Sequence, residues 1–357
     1  MKKHLSLIQF SRVLVPLFVM LLHADAFMVN YFGNGFPYLL NVEKSGGVYY
    51  FFALSGFMMY FLYHKDFGNP KLISKFLYSR WIRIYPFYWI LTLSVLPFSS
   101  LLLGLGTGQN KEMGTIITSL LLFPYEVQPI LPPAWSLVHT VLFYLMFTLL
   151  FSSYRFFSRG LLFAWGLFSL LFSLNILSSP VFFINFFFNF NSLIFLLGIL
   201  CGYLIIRVQI PIYLSIVLVF VGILGFPLSW MNTQFGYVNI DLQYTTTVSS
   251  VILILGFSSI DLQKDIRLPK LAQFLGDASF SIYLTQFSCM SLISNLFGNT
   301  PMRDLPNFLL AAILILSSII CGSLLHVLIE KPIHTKLKSF QARKQLLTAN
   351  LDSHVKG

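Results

Sequence analysis

Charge is scarce in this chain. Only 10% of its 357 residues are Asp, Glu, Lys or Arg, and the acids number 12. A soluble domain carries about a quarter of its residues as charges, so that class is excluded. Cysteine is scarce too: Cys201, Cys289 and Cys321 each stand alone in an apolar stretch, which gives neither a disulfide framework nor a metal-ligand spacing. Short alternating strands, internal repeats and low-complexity tracts are missing, which argues against a β-barrel or a solenoid. What fills the chain is apolar: 57% hydrophobic and 17% aromatic residues, with 39 Phe and 17 Tyr, and a mean hydropathy of +0.79. Long apolar runs of this kind read as an all-α integral membrane protein, with the aromatics supplying lipid-facing surface and interfacial belts. The net charge of +11 does not indicate nucleic acid, because the basic residues flank apolar runs instead of forming a stripe.

Hydropathy predicts about ten transmembrane helices, near 9–28, 46–64, 84–103, 134–152, 160–177, 186–206, 211–230, 245–260, 272–297 and 307–330. With that partition, 20 of the 23 Lys and Arg residues fall on one side; Lys44, Lys111 and Arg303 are the others. The positive-inside rule then puts both termini in the cytoplasm. The N-terminus loosely mimics a cleavable signal (Lys2, Lys3, an apolar run from Val13 to Leu22, then Ala24-Asp25-Ala26), but Pro16 interrupts the run. We expect it to be retained. The loop 104–133 carries Gly104, Gly106, Gly108, Pro124, Pro129, Pro132 and Pro133, and Ile116 to Phe123 is apolar but too short to cross. We expect a transmembrane domain over 1–335 and a short basic cytoplasmic tail over 336–357, with the chain frayed after Glu330.

Two costly residues sit in the first span. Arg12 and His23 are eleven apart, which returns them to nearly one helical face about 16 Å apart along the axis. That is about half of a 30 Å hydrocarbon core. A cation at the mouth and a titratable ring at mid-depth suit an anionic ligand and proton chemistry. The plainer alternative makes Arg12 a topological anchor and His23 a hydrogen-bonded ring of the bundle. Arg80 and Arg83, in Arg80-Trp81-Ile82-Arg83-Ile84-Tyr85-Pro86-Phe87-Tyr88-Trp89, share a helical face and suit a phosphate, or serve topology alone. The neighbouring aromatics would stack on a base or sit among headgroups. Ser55-Gly56 permits close helix approach. Trp135 fits an interfacial anchor, His139 either a substrate contact or a wet interfacial histidine, and Glu330 a partner for a nearby cation. Asp25 is too close in sequence to face His23 on a regular helix.

The ordered set Arg12–His23, FFALSGF, RWIRIYPFYW, PPAWSL, LGDASFSIYL and IEKP resembles the membrane acyltransferase family often called acyltransferase-3, over about residues 8–335. The resemblance implies an integral membrane O-acyltransferase of the bacterial cytoplasmic (inner) membrane. It would take an acyl group, acetyl by family precedent, from cytoplasmic acyl-CoA to a hydroxyl of a polysaccharide such as an exopolysaccharide or O-antigen, or of a lipid-linked oligosaccharide. No permanently bound cofactor or metal is implied. His23 falls on the family's catalytic position, as base or transient acyl acceptor; Arg12, Arg80 and Arg83 would bind the donor. Ser55, Trp135, Ser136, His139, Tyr283 and Glu330 are expected to support substrate, with Ser55, Ser136 or the Gly56 amide as oxyanion donors. Membrane lipid is the other expected partner, and homo-oligomerisation stays open. Two positions depart from the family pattern: Thr140 where many relatives are acidic, and Gln286 where many have histidine. A glycan flippase or exporter, and a catalytically idle relative, are the competing readings.

Overall fold

A computed structural model describes residues 5–33, 35–36, 45–98, 112–298 and 300–341. Lys2, Lys3, Lys44, Lys111, the glycines at 104, 106 and 108, and residues 342–357 lie outside the described residues. Those described are helical, with no strand among them. In chain order the helices are α1 (Ser6–Phe32), α2 (Gly47–Tyr63), α3 (Ile73–Val95), α4 (Met113–Leu121), α5 (Trp135–Phe147), α6 (Arg155–Ser173), α7 (Phe182–Phe187), α8 (Phe190–Arg207), α9 (Ile212–Phe235), α10 (Leu242–Gln263), α11 (Lys270–Phe297) and α12 (Asn307–Leu325). A π-helical turn, His326–Glu330, follows α12, and helix continues to Gln341. Seven of these stretches are long and apolar enough to cross a membrane. The described residues of the other three segments predicted to cross are helical too. Of these, α2 has 17 residues, α3 carries Lys75, Arg80 and Arg83, and α11 carries Lys270 and Asp277.

Two boundaries differ from expectation. Helix α3 starts at Ile73, inside the stretch read as a cytoplasmic loop. No Gly or Pro separates Ile73 from Tyr85, and basic residues are good helix formers, so nothing stops the helix there. Arg80 and Arg83 therefore sit within a helix instead of at its mouth. The tail is likewise helical to Gln341 instead of frayed after Glu330.

The short apolar stretch after the glycine-rich loop is α4. Its last carbonyls would be orphaned at a nine-residue helix end. Three donors of α3 satisfy them: Tyr88 Oη to Ser119 O (2.8 Å), Trp89 Nε1 to Leu120 O (2.7 Å) and Tyr85 Oη to Leu121 O (3.0 Å). These aromatics cap a helix, a task the sequence reading did not foresee.

Helix pairs approach through small residues. A Cβ on Gly56 of α2 would lie 2.0 Å from Phe195 O, and one on Gly198 of α8 would lie 1.9 Å from Ala53 O. Each glycine accepts the other helix's backbone, as the Ser55-Gly56 pair suggested. Around this contact Tyr50, Phe52, Phe57, Phe143, Phe147 and Phe195 form the largest buried core. Outward, Phe156, Phe163 and Phe220 are 95%, 74% and 66% exposed, as lipid-facing rings are.

Gly198→Ala should destabilise by about 1–3 kcal/mol, the usual cost of overpacking. Thermal unfolding in detergent measures this; an unchanged midpoint would mean that α2 and α8 sit further apart.

Candidate active site

A cavity of about 870 Å³ opens between α1, α2, α3, α11 and the helix after the π-turn. It gathers Arg12, Ser55, Arg80, Arg83 and Glu330, all anticipated from the sequence, although they come from four separate helices.

Glu330 organises the floor of this space. Arg83 Nη1 donates to Glu330 Oε1 at 3.0 Å. Ser281 Oγ donates to Oε2 at 2.6 Å, and His326 Nδ1 lies 2.7 Å from the same oxygen. The contact is a hydrogen bond in the tautomer that has its proton on Nδ1, since a carboxylate accepts. Arg83 also lies 5.5 Å from the Phe280 ring centre. Three helices thus hold one guanidinium in place. Arg80, a turn earlier on α3, has its guanidinium carbon 5.8 Å from the ring centres of both Phe76 and Tyr144. It reaches Tyr63 Oη at 3.5 Å, a weak bond that leaves donors free for a ligand. On α1, Arg12 has a long contact with Gln9 Oε1 (3.4 Å), while Gln9 Nε2 donates to Asp277 at 2.7 Å.

His23 does not line the cavity. Its ring stands edge-on to Phe287 at 5.7 Å, and its Nδ1 is buried with no hydrogen-bond partner. A fully hydrogen-bonded bundle histidine is therefore not what α1 presents. One turn before Phe287 on α11 stands Tyr283, 6.2 Å from Phe51, and Phe51 lines the cavity. A file of residues thus leads from the cavity wall to His23: Phe51 and Tyr283 in ring contact, then, one turn along α11, Phe287 beside His23.

The remaining expected residues lie on this file or away from it. Tyr283 Oη is 2.9 Å from Ser136 Oγ and donates to Pro133 O, which fixes the start of α5 against α11. Trp135 packs edge-on to Phe52 and to His139. His139 stacks on Phe186 at 4.3 Å and has Asn191 Nδ2 3.2 Å from Nε2. None of these four residues lines the cavity. Of the three oxyanion donors considered, the Gly56 amide sits within helix α2 and Ser136 is engaged, which leaves Ser55 facing the cavity. Thr140 Oγ1 donates to the Ser136 carbonyl. Gln286 is fully buried with both amide atoms unpaired. Asp25 accepts from the Phe36 amide at 2.6 Å and so closes the end of α1.

Sequence reasoning missed Gln9, Lys331, His334 and Lys338, all of which line the cavity. The signal was present: positions 331, 334 and 338 share one side of a helix. A polar segment after the last apolar run predicts fraying, and that expectation masks the periodicity. Among the described residues no three His, Cys, Asp or Glu side chains converge to hold a metal.

The family model described as an acyltransferase domain matches residues 7–327. The chain is also similar to the exopolysaccharide production protein ExoZ of Rhizobium meliloti (strain 1021), with 25% identity over 325 residues, 86% of this chain and 93% of that protein. No solved structure matches it.

Two substitutions test the site's energetics. Glu330→Ala strands a partly buried guanidinium and should cost toward the lower end of about 3–5 kcal/mol, because Arg83 keeps some access to water. Gln286→Met removes an unpaired buried amide and should stabilise by about 1–3 kcal/mol. Thermal unfolding in detergent reads both; a lower midpoint for Gln286→Met would show that the amide has a partner.

Proposed function

The chain belongs to the acyltransferase-3 family of membrane acyltransferases, and we propose that it moves an acyl group, acetyl in the simplest case, from cytoplasmic acyl-CoA to a hydroxyl of a polysaccharide or lipid-linked oligosaccharide. One observation carries this reading: Arg12, Arg80 and Arg83 converge on one cavity, and the helix that brings Arg12 also carries His23. Three guanidiniums in one recess suit a phosphorylated donor. The exopolysaccharide role in the relative's name supports a polysaccharide acceptor. In this reading the protein crosses the bacterial cytoplasmic membrane ten times, with both termini and the cavity mouth in the cytoplasm.

The chemistry follows from the positions. Donor phosphates rest on the arginines, and the thioester arm passes Phe51, Tyr283 and Phe287 toward His23. Apolar walls keep the imidazole neutral and water out. A nitrogen of His23 takes the proton of the acceptor hydroxyl as its oxygen attacks the thioester carbonyl. Ser55, or a group brought in by the acceptor, donates to the oxyanion. The carbon–sulfur bond then breaks, and the thiolate recovers the proton from the imidazolium. In the two-step variant His23 carries the acyl group between donor and acceptor. Thr140 and Gln286 do not titrate, so the proton chemistry falls on His23.

His23→Ala in vesicles supplied with labelled acetyl-CoA and acceptor glycan should lower glycan labelling by about 10²-fold or more. Undiminished labelling would overturn both versions of the mechanism. Arg80→Ala/Arg83→Ala should raise the KM for acetyl-CoA far more than it changes kcat.

A further inference from the structure

The cavity holds more positive charge than a single phosphate group needs. Arg12, Arg80, Arg83, Lys331 and Lys338 line it, against the carboxylates of Asp277 and Glu330. Glu330 is already committed to Arg83, Ser281 and His326, and Asp277 accepts from Gln9. Among the described residues neither Lys331 nor Lys338 has a carboxylate within salt-bridge distance; the two ion pairs there both involve Glu330.

These cations form two groups. Arg80 and Arg83 stand one turn apart on α3. Lys331 and Lys338 stand two turns apart on the last helix, about 10 Å along its axis, with His334 between them. Arg83 meets Glu330, and His334, one turn later on the last helix, lines the same cavity as Arg80 and Arg83. The helical stretch from Asn307 to Gln341 has 35 residues, about 52 Å, which exceeds a 30 Å hydrocarbon core. That length allows its last turns to stand clear of the lipid, at the mouth. Like charges crowded in this way repel one another unless an anion lies among them.

We propose that Lys331, His334 and Lys338 form a second anion site, and that the donor carries two separated phosphate groups: a diphosphate on Arg80 and Arg83, and a ribose 3′-phosphate on the last helix. The inference rests on the acyl-CoA reading and narrows it. A pantetheine arm carried on a protein has one phosphate and would leave the second site empty. A nucleotide-type thioester fills both, because its 3′-phosphate and its 5′-diphosphate flank a single ribose.

The test is equilibrium binding of CoA and of 3′-dephospho-CoA to the full chain in lipid nanodiscs. Wild-type protein should bind CoA at least about tenfold more tightly than 3′-dephospho-CoA. Lys331→Gln/Lys338→Gln should bind CoA about tenfold more weakly and lose the discrimination, with 3′-dephospho-CoA affinity unchanged within about twofold. Lys331→Arg/Lys338→Arg should keep it, which separates loss of charge from loss of fold. Arg80→Ala/Arg83→Ala should weaken both ligands. Equal wild-type affinity for the two ligands, or discrimination that survives in the glutamine variant, overturns the second site while leaving the acyl-CoA reading intact. Failure of the wild type to bind either ligand overturns both.

Discussion

The site depends on how a partly exposed guanidinium is held against a buried carboxylate. Arg83 lies 3.0 Å from Glu330, and the second oxygen of that carboxylate is taken by Ser281 and His326. An ion inside a helical bundle is costly unless paired and hydrogen-bonded. Here one acid, 4% exposed, draws together α3, α11 and the π-turn after α12. Loosening this junction would leave the cavity floor without a fixed geometry, because those three elements are what enclose it.

Around the junction the molecule divides into a wet recess and a dry interior. The recess is lined by cations, while the interior on the path to His23 is lined by rings: Phe51, Tyr283 and Phe287. Close helix approach through Gly56 and Gly198 keeps the interior dense. The capping of α4 by Tyr85, Tyr88 and Trp89 serves the same division from the other end. It fastens a segment too short to cross the membrane onto a helix that also bears two arginines of the recess.

Much of this was legible in the residues. Apolar runs gave the class, because hydropathy reports burial in lipid directly. Arg12, Arg80, Arg83 and Glu330 were legible because a charge beside or within an apolar run needs a reason, and here the reason is shared. Less legible were features set by what a side chain meets across the bundle. Tyr88 and Trp89 look like interfacial anchors until the carbonyls they satisfy are seen. His139 gives no sign in the sequence of its stacking on Phe186. The lysines of the last helix were hidden by their polarity, which on sequence grounds is indistinguishable from that of a frayed end.

The π-turn at His326–Glu330 gives the last helix an adjustable joint. Such a turn holds one residue more than an α-turn, so a residue gained or lost here can be absorbed within the turn while the helix on either side keeps its facing. The half before the turn keeps its packing, and the half after it keeps Lys331, His334 and Lys338 on the recess. A single codon gained or lost at this point is thus tolerable during divergence without re-aiming the entrance.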